Sequence, residues 1–488
     1  MFDLRMLPER PLVKFNRQLP IFNWHYPFHD EEHRLADPYA PLRKGEQGAA
    51  RRRAVYIHIP FCDTICNFCL FQKTKQQSVA DVGDYLKALV AEFELKGRFL
   101  GAYQVDAIFV GGGTPSVLDP EHIEFLGLAI RENFDLRNLK EFTFEVEVKS
   151  ATPEKLAALK NIGVNRVSFG AQTFSPKYRT LFSLDARLDQ IQEAARLITS
   201  MFAYTNVDIL YGIAGQNEDE LHQDAEAALD LQTTTIDFYP INNLAAPRLM
   251  HRALNRSGLT YLPASIRFQY RRKLDKLLRS RGYAPINGYG YGLAEGPSRG
   301  GVVQHAPKFL YHDLVYGYHD DEIVGYGCSA ISQIMNFNLV NDADRAGYAR
   351  RLLREKTLPH QAYGPVPAPE RGIVLFPFRG FADKSRVPWE RLSDDTWIAL
   401  QEAIDAGLVL ERTDRYELSA VGWLFYVNLM YYLMPESGKK WVSNLIENRL
   451  ADGRACGDTD LSRLANECED DSAGAWLPGA DQLAAAQA

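Results

Sequence analysis

The sequence predicts an α/β protein: an open, partial (β/α)6 barrel with an N-terminal arm and a small C-terminal winged-helix-like domain. Three features of the chain point to it. Short β-rich runs alternate with amphipathic helical patterns from about residue 54 to residue 240, the pattern of parallel strands joined by right-handed helical crossovers. The alternation yields six strands, fewer than the eight that close a (β/α)8 barrel, so one side stays open. At ~150 residues per domain, the 488-residue chain also has room for further units beside the barrel.

The elements follow in order. Residues 1–50 include RQLPIFNWHYPFHDEEHR, in which Phe22, Trp24, Tyr26 and Phe28 alternate. This reads as an arm that packs on the main domain or contributes to a substrate pocket. In the barrel, assigned to residues 51–300, AVYIHI, VDAIFV, EFTFEVEV, NRVSFG, YTNVDILYG and TTIDFYP are the strands. Runs such as VGDYLKALVAEFELKGRFL and LDQIQEAARLITS are the helices between them. The period of two puts Thr143, Glu145 and Glu147 on one face toward the lumen, with Phe142, Phe144 and Val146 under the helices. Residues 301–365 read as a loop-rich segment covering the open side. Residues 366–440, with the hairpin-like LVLERTDRYELS, form the winged-helix-like domain. Residues 441–488 form a helix and tail in which Cys456 and Cys468 are incidental.

Composition narrows the partners. Apolar residues make up 46% and charged residues 24%, and 55 Lys and Arg against 62 Asp and Glu give a net charge of −7. That balance argues against nucleic-acid binding by the whole surface. The start, MFDLRMLPER, lacks the basic-then-apolar layout of a secretory signal. The apolar run from Trp423 to Met434 is well short of the ~20 residues of a spanning helix. A cytoplasmic monomer is expected, in keeping with six Cys, three of them between Cys62 and Cys69.

Those three, Cys62, Cys66 and Cys69, stand in IPFCDTICNFCLFQ as C-x3-C-x2-C just after the first strand, where barrel active-site loops emerge. Zinc is one candidate, but a structural zinc takes four protein ligands, and the nearest downstream histidine is His122. An iron–sulfur cluster with one iron left open fits three thiolates better.

This pattern resembles the radical S-adenosylmethionine (SAM) superfamily, specifically the oxygen-independent coproporphyrinogen III oxidase-like family, over roughly residues 50–435. The resemblance implies that Cys62, Cys66 and Cys69 hold a 4Fe-4S cluster and that SAM chelates its open iron. Reductive cleavage of SAM would draw its electron from a donor such as flavodoxin or ferredoxin. It places Tyr56 and Phe68 around the cluster and SAM, although aromatics there also suit a core. Gly112, Gly113 and Thr114 of GGGTPS and the strand residue Glu145 would bind SAM; taken alone, the glycines describe a tight turn. Gln172 and Asp208 would lie beside SAM, and Arg187 near its carboxylate, the other reading of Arg187 being a helix-surface charge. Gln216 is retained, while Ala214 replaces a family proline.

Phe71 occupies the position of a fourth cysteine common among true coproporphyrinogen oxidases. That departure points to the class C methyltransferase branch, with C-methylation of an sp2 carbon in a hydrophobic ring, menaquinone first. The alternatives are coproporphyrinogen III decarboxylation and a haem chaperone without small-molecule catalysis. GYGCSAIS at 325–332 resembles the family segment near a second SAM, although the associated glutamine is missing from FLYHDLVYGYHDDE. There Cys328 is a candidate proton or hydrogen donor, or a small buried residue. His312, grouped with His319, Tyr311, Tyr316 and Tyr318, is a candidate acid or base. The aromatic arm and the run WLFYVNLMYYLMP suggest a large apolar substrate or contact with a membrane surface.

Overall fold

The computed structural model describes residues 26–44, 52–69, 73–75, 79–100, 104–241, 248–293 and 309–451. Phe22, Trp24, Phe71, Cys456 and Cys468 lie outside them. In chain order the strands are β1 (Arg53–Ile59), β2 (Phe61–Cys62), β3 (Thr74–Lys75), β4 (Ala107–Gly112), β5 (Glu141–Val146), β6 (Arg166–Gln172), β7 (Tyr204–Tyr211) and β8 (Thr235–Pro240). There follow β9 (Tyr283–Pro285), β10 (Gly290–Leu293), β11 (Glu322–Tyr326), β12 (Ile331–Ile334), β13 (Phe337–Asn341), β14 (His360–Tyr363), β15 (Phe381–Asp383), β16 (Val409–Glu411) and β17 (Arg415–Leu418).

The six expected barrel strands are β1, β4, β5, β6, β7 and β8, adjacent in that order and parallel throughout. Helices cover their outer face, and their ends carry local stop and start signals. Asp119 and Thr152 cap the helices Pro120–Asn133 and Pro153–Ile162, each with proline at the first helical position. Asn217 and Glu220 form a reciprocal capping box on Glu218–Asp230. Phe142, Phe144 and Val146 join the apolar core between sheet and helices, as the period of two requires. A second core joins Ala54, Ala107 and Ile323, at the lower end of the barrel, to Phe376, Leu429 and Met430 of the C-terminal region.

The stretch expected to be a loop-rich cover belongs instead to the sheet. Strand β11 runs parallel to β1 on the side away from β4, and β12, β13 and β14 continue from it antiparallel. At the opposite edge β10 pairs antiparallel with β8, and β9 with β10. The twelve strands make one sheet in the order β14-β13-β12-β11-β1-β4-β5-β6-β7-β8-β10-β9. Glycines dilute the strand pattern here for a tertiary reason. A Cβ on Gly290 would stand 2.5 Å from the Asp237 carboxylate, so close approach, not turn formation, requires glycine in β10.

The C-terminal region has the three-stranded sheet β15-β17-β16 with helices around it. The apolar run around Trp423 folds into the short helices Ala420–Leu424 and Tyr426–Tyr432 and the turn that follows; Leu429 and Met430 in the second helix and Leu433 and Met434 in the turn are fully buried. It is core, and no helix of the described residues is long and apolar enough to cross a membrane. The described part of the arm, from Tyr26 on, docks on this region. Phe28 stacks on Trp441 at 4.1 Å, Tyr26 donates a hydrogen bond to Glu370, and Arg371 donates to the Tyr26 carbonyl.

Candidate active site

The cysteine loop leaves the upper end of β1. Its first turn is held by the β2–β3 pairing and by a hydrogen bond from Thr74 N–H to the Pro60 carbonyl (2.7 Å). Farther along, Asn67 ties the loop to the helix Pro176–Phe182 through the Leu181 carbonyl (2.8 Å), and Phe68 packs edge-on against Phe182. Cys62 is buried, and Cys66 and Cys69 are half-buried. Burial, and then the neighbouring Cys69 and Cys62, push the Cys66 thiol up to about 12. Burial also raises Cys62, against a hydrogen bond from Thr114. The three sulfurs therefore share one pocket, in which burial disfavours the Cys62 and Cys66 thiolates and a cationic centre would favour them. Their sulfurs do not all lie within 4.8 Å of one another. Thiolates on one tetrahedral zinc sit about 3.8 Å apart, from Zn–S bonds of ~2.3 Å; the wider spacing suits a multinuclear cluster.

Strand β4 ends in the glycine run beneath this loop. Gly113 N–H donates to the Ile59 carbonyl (2.8 Å) and Thr114 N–H to the Phe61 carbonyl (2.6 Å). A Cβ on Gly113 would meet the Phe61 carbonyl oxygen at 2.6 Å, so glycine is needed for the two backbones to touch. Gly112 N–H donates to Glu145 (3.1 Å), whose carboxyl is pushed up to about 7 by burial. Tyr56, Phe109, Glu145, Asp208, Tyr311 and His312 lie deep in the fold yet keep accessible surface, so they face the lumen. Tyr56 bonds to His58 Nδ1 at 2.9 Å, and its ring lies against Phe109 and Tyr311.

Gln172 has a left-handed backbone (φ 67°) where the β6–β7 register slips, and its amide folds over Gly170. Such strain in a non-glycine residue costs on the order of 1–3 kcal/mol and gathers at functional sites. Asp208 pairs in register with Asp237 on β8. Burial and then the mutual charge raise Asp208 strongly, and burial raises Asp237. Asn206 donates to Asp208 (2.7 Å) and the Tyr239 hydroxyl to Asp237 (3.3 Å), and the Arg166 charge acts on Asp237.

The family model described as the radical SAM superfamily matches residues 56–228, the segment that carries the three cysteines, the glycine run, Glu145, Gln172 and Asp208. Residues 56–228 of the chain form a radical SAM domain. Among its relatives is a heme chaperone HemW of Lactococcus lactis subsp. lactis, 26% identical over 349 residues, or 70% of this chain and 84% of that protein. An oxygen-independent coproporphyrinogen III oxidase of Pseudomonas aeruginosa is 27% identical over 346 residues, 67% of this chain and 72% of that one. The solved coproporphyrinogen III oxidase (HemN) from Escherichia coli superposes with a TM-score of 0.68 at 19% identity, covering 86% of this chain and 99% of that one. At that identity the superposition establishes the radical SAM fold and nothing finer. These relatives are oxidases and haem chaperones, so they favour the tetrapyrrole alternatives over quinone methylation.

Three of the residues expected in the radical SAM site stand elsewhere or in another state. Arg187 is exposed at the start of helix Leu188–Met201 and pairs with Asp189 (2.8 Å), because its backbone caps a surface helix. Cys328 is 1% exposed within the outer core. Its sulfur is 3.8 Å from the Tyr85 hydroxyl, and burial holds the thiol up to about 11, the state of a packing residue and not of a reactive thiol. His312 does face the lumen, but burial and then the Arg166 charge lower it to about 3. It is neutral at physiological pH and accepts or donates hydrogen bonds without carrying charge. His319 lies apart, beside Asp320, Asp321, Arg386 and Arg391. Gln216 is a turn-former: its Oε1 accepts from Gly212 N–H (2.9 Å) and Ile213 N–H (3.2 Å).

Sequence reasoning missed Asp237. Its signal was present in TTIDFYP, where the period of two puts Asp237 on the same face as Thr235 and Tyr239.

Proposed function

We propose that this radical SAM chain binds a 4Fe-4S cluster through Cys62, Cys66 and Cys69 and acts with SAM on a tetrapyrrole of the coproporphyrinogen class, by oxidative loss of carboxyl groups. The observation that carries the substrate class is that relatives named for two different roles, heme chaperone and coproporphyrinogen III oxidase, are both named for a tetrapyrrole. Their similarity covers about two thirds of this chain, well beyond the cysteine loop. The lumen supports the reading, since flat aromatic faces of Tyr56, Phe109 and Tyr311 line it.

When bound, the cluster and SAM supply reductive carbon–sulfur cleavage and the hydrogen-abstracting power that follows from it. The chain does the rest. Gly112, Gly113, Thr114 and Glu145 receive SAM, with the buried Glu145 carboxylate matched to an ammonium group. Gln172 and Asp208 lie beside it, and Tyr56 and Phe68 shield the cluster side from water. The Asp237 charge adds to burial in raising the Asp208 carboxyl. An external one-electron donor is required for SAM cleavage, and a one-electron acceptor for the electron that the substrate radical gives up as carbon dioxide leaves.

The test is anaerobic reconstitution with SAM, reduced flavodoxin and coproporphyrinogen III, followed by mass spectrometry. The expected result is 5′-deoxyadenosine that rises with coproporphyrinogen and a tetrapyrrole lighter by carbon dioxide and two hydrogens for each propionate converted to a vinyl group, both lost in Cys66→Ala. S-adenosylhomocysteine with a methylated menaquinone would overturn the reading in favour of methyl transfer. Haem binding with no substrate-dependent SAM cleavage would overturn it in favour of a chaperone.

A further inference from the structure

The helix Leu310–Val315 brings Tyr311 and His312 into the lumen, yet nothing in its own sequence starts it. Its cap residue is Phe309, which has no side-chain oxygen and makes no cap hydrogen bond. A helix start leaves amide hydrogens that need acceptors, and buried ones left unmet are costly. The acceptor comes from β5, the strand next to β4 in the sheet. Glu141, the first residue of β5, accepts from Leu310 N–H through Oε2 (2.8 Å) and from Tyr311 N–H through Oε1 (3.1 Å), across 169 and 170 residues of sequence.

Glu141 is built into this role. It is 5% exposed, Arg166 Nε stands 3.5 Å from its Oε2, and Thr143 Oγ1 donates to it at 3.4 Å. The Arg166 guanidinium also covers the Phe309 ring at 4.8 Å, so the same pair holds the residue before the helix. The consequence lies one residue on. Tyr311 stacks on Phe109 at 4.7 Å and 27°, and burial and then the Glu145 charge raise its hydroxyl. His312 Nε2 lies 3.4 Å from the Tyr289 hydroxyl.

We infer that Glu141 is a positioning residue: acting as a remote cap from β5, it pins the helix Leu310–Val315 to the barrel sheet and so sets Tyr311 and His312 as the lumen wall that faces the substrate. This rests on the substrate reading above only for which molecule the wall meets. Asp or Ser at 309 would cap the helix locally; a cap delivered from β5 instead locks the wall to the barrel strand two residues below Thr143 and four below Glu145.

The experiment uses the full chain, reconstituted with its cluster, as wild type, Glu141→Ala and Glu141→Gln. Amide hydrogen exchange is followed over residues 309–316 without substrate, and KM and kcat are measured with coproporphyrinogen III. In Glu141→Ala, exchange at Leu310 and Tyr311 rises roughly ten- to hundredfold, the loss expected for hydrogen bonds to a charged acceptor. KM rises about tenfold on the same ground, while iron content and SAM affinity hold. Glu141→Gln, which keeps one acceptor oxygen and the side-chain volume, gives a smaller change of the same sign and covers the case in which Glu141→Ala does not fold. Unchanged exchange at 310–311 in both variants overturns the inference. So does a uniform rise across all barrel strands with KM unmoved. If wild type does not turn over coproporphyrinogen III, the substrate reading falls, while selective loss of protection at 310–311 still upholds the role of Glu141.

Discussion

Replacing Glu145 by Gln removes a carboxyl that the fold holds under strain. Glu145 is walled in by Tyr56, Tyr311 and the β4 glycines, and only the Gly112 N–H favours its charge. Raising a carboxyl from 4.5 to about 7 costs the folded, SAM-free protein up to about 3 kcal/mol once the group must ionise. The direction with pH follows from proton uptake. Between pH 4.5 and about 7 the folded state holds the proton that the unfolded chain releases, so stability falls as pH rises through that window and is level above it. Urea titrations of the anaerobic, cluster-loaded protein at pH 5 and pH 8 should therefore show Glu145→Gln to be more stable than wild type by ~2–3 kcal/mol at pH 8, with most of that gap gone at pH 5. On the proposed function SAM reverses the advantage, because its ammonium would pair with the carboxylate and not with an amide. At pH 8 the variant should bind SAM roughly ten- to hundredfold more weakly. A stability gap that is the same at both pH values would refute the claim that burial penalises this carboxylate. Unchanged SAM affinity would remove Glu145 from the SAM site.

Three further outcomes are expected. Gly113→Ala sets a Cβ 2.6 Å from the Phe61 carbonyl oxygen and 2.9 Å from the Pro60 carbonyl carbon; only backbone movement next to Cys62 relieves it, so iron and sulfide content after reconstitution should drop, and full loading would show that the β4 turn yields freely. Arg187→Ala removes an exposed ion pair with Asp189 and should leave the rate of SAM cleavage unchanged; a tenfold loss would show the side chain swinging into the site. Cys328→Ala should lower stability by about 1 kcal/mol and keep turnover, since the thiol is a packed core group; lost turnover with an intact cluster would make it a hydrogen donor after all.

Much of the barrel was legible in the chain because each unit is written in neighbouring residues. EFTFEVEV states by its alternation that Glu145 faces inward and Phe144 outward, and the structure places them so. C-x3-C-x2-C after a strand needs only local spacing to deliver three thiols to one loop. Proline after Asp119 and after Thr152 marks two helix starts without reference to the rest of the molecule.

What the sequence did not reveal depends on partners far along it. Strand β11 lies beside β1, and Arg53 meets Glu322, only when 269 residues fold back on themselves. Its glycines, like those of β10, suit a loop until neighbouring atoms explain them. Asp208 becomes half of an acid pair because β8 follows β7 in the sheet, and Cys328 becomes inert because Tyr85 and Tyr348 close over it. The helix Leu310–Val315 has no start signal of its own, since its cap is Glu141 on another strand. Periodicity and spacing are properties of consecutive residues and so are carried by the sequence alone. Which distant groups share a buried site, and hence which of them keep their charge, was decided only by tertiary packing, because desolvation and pairing are set by neighbours in space.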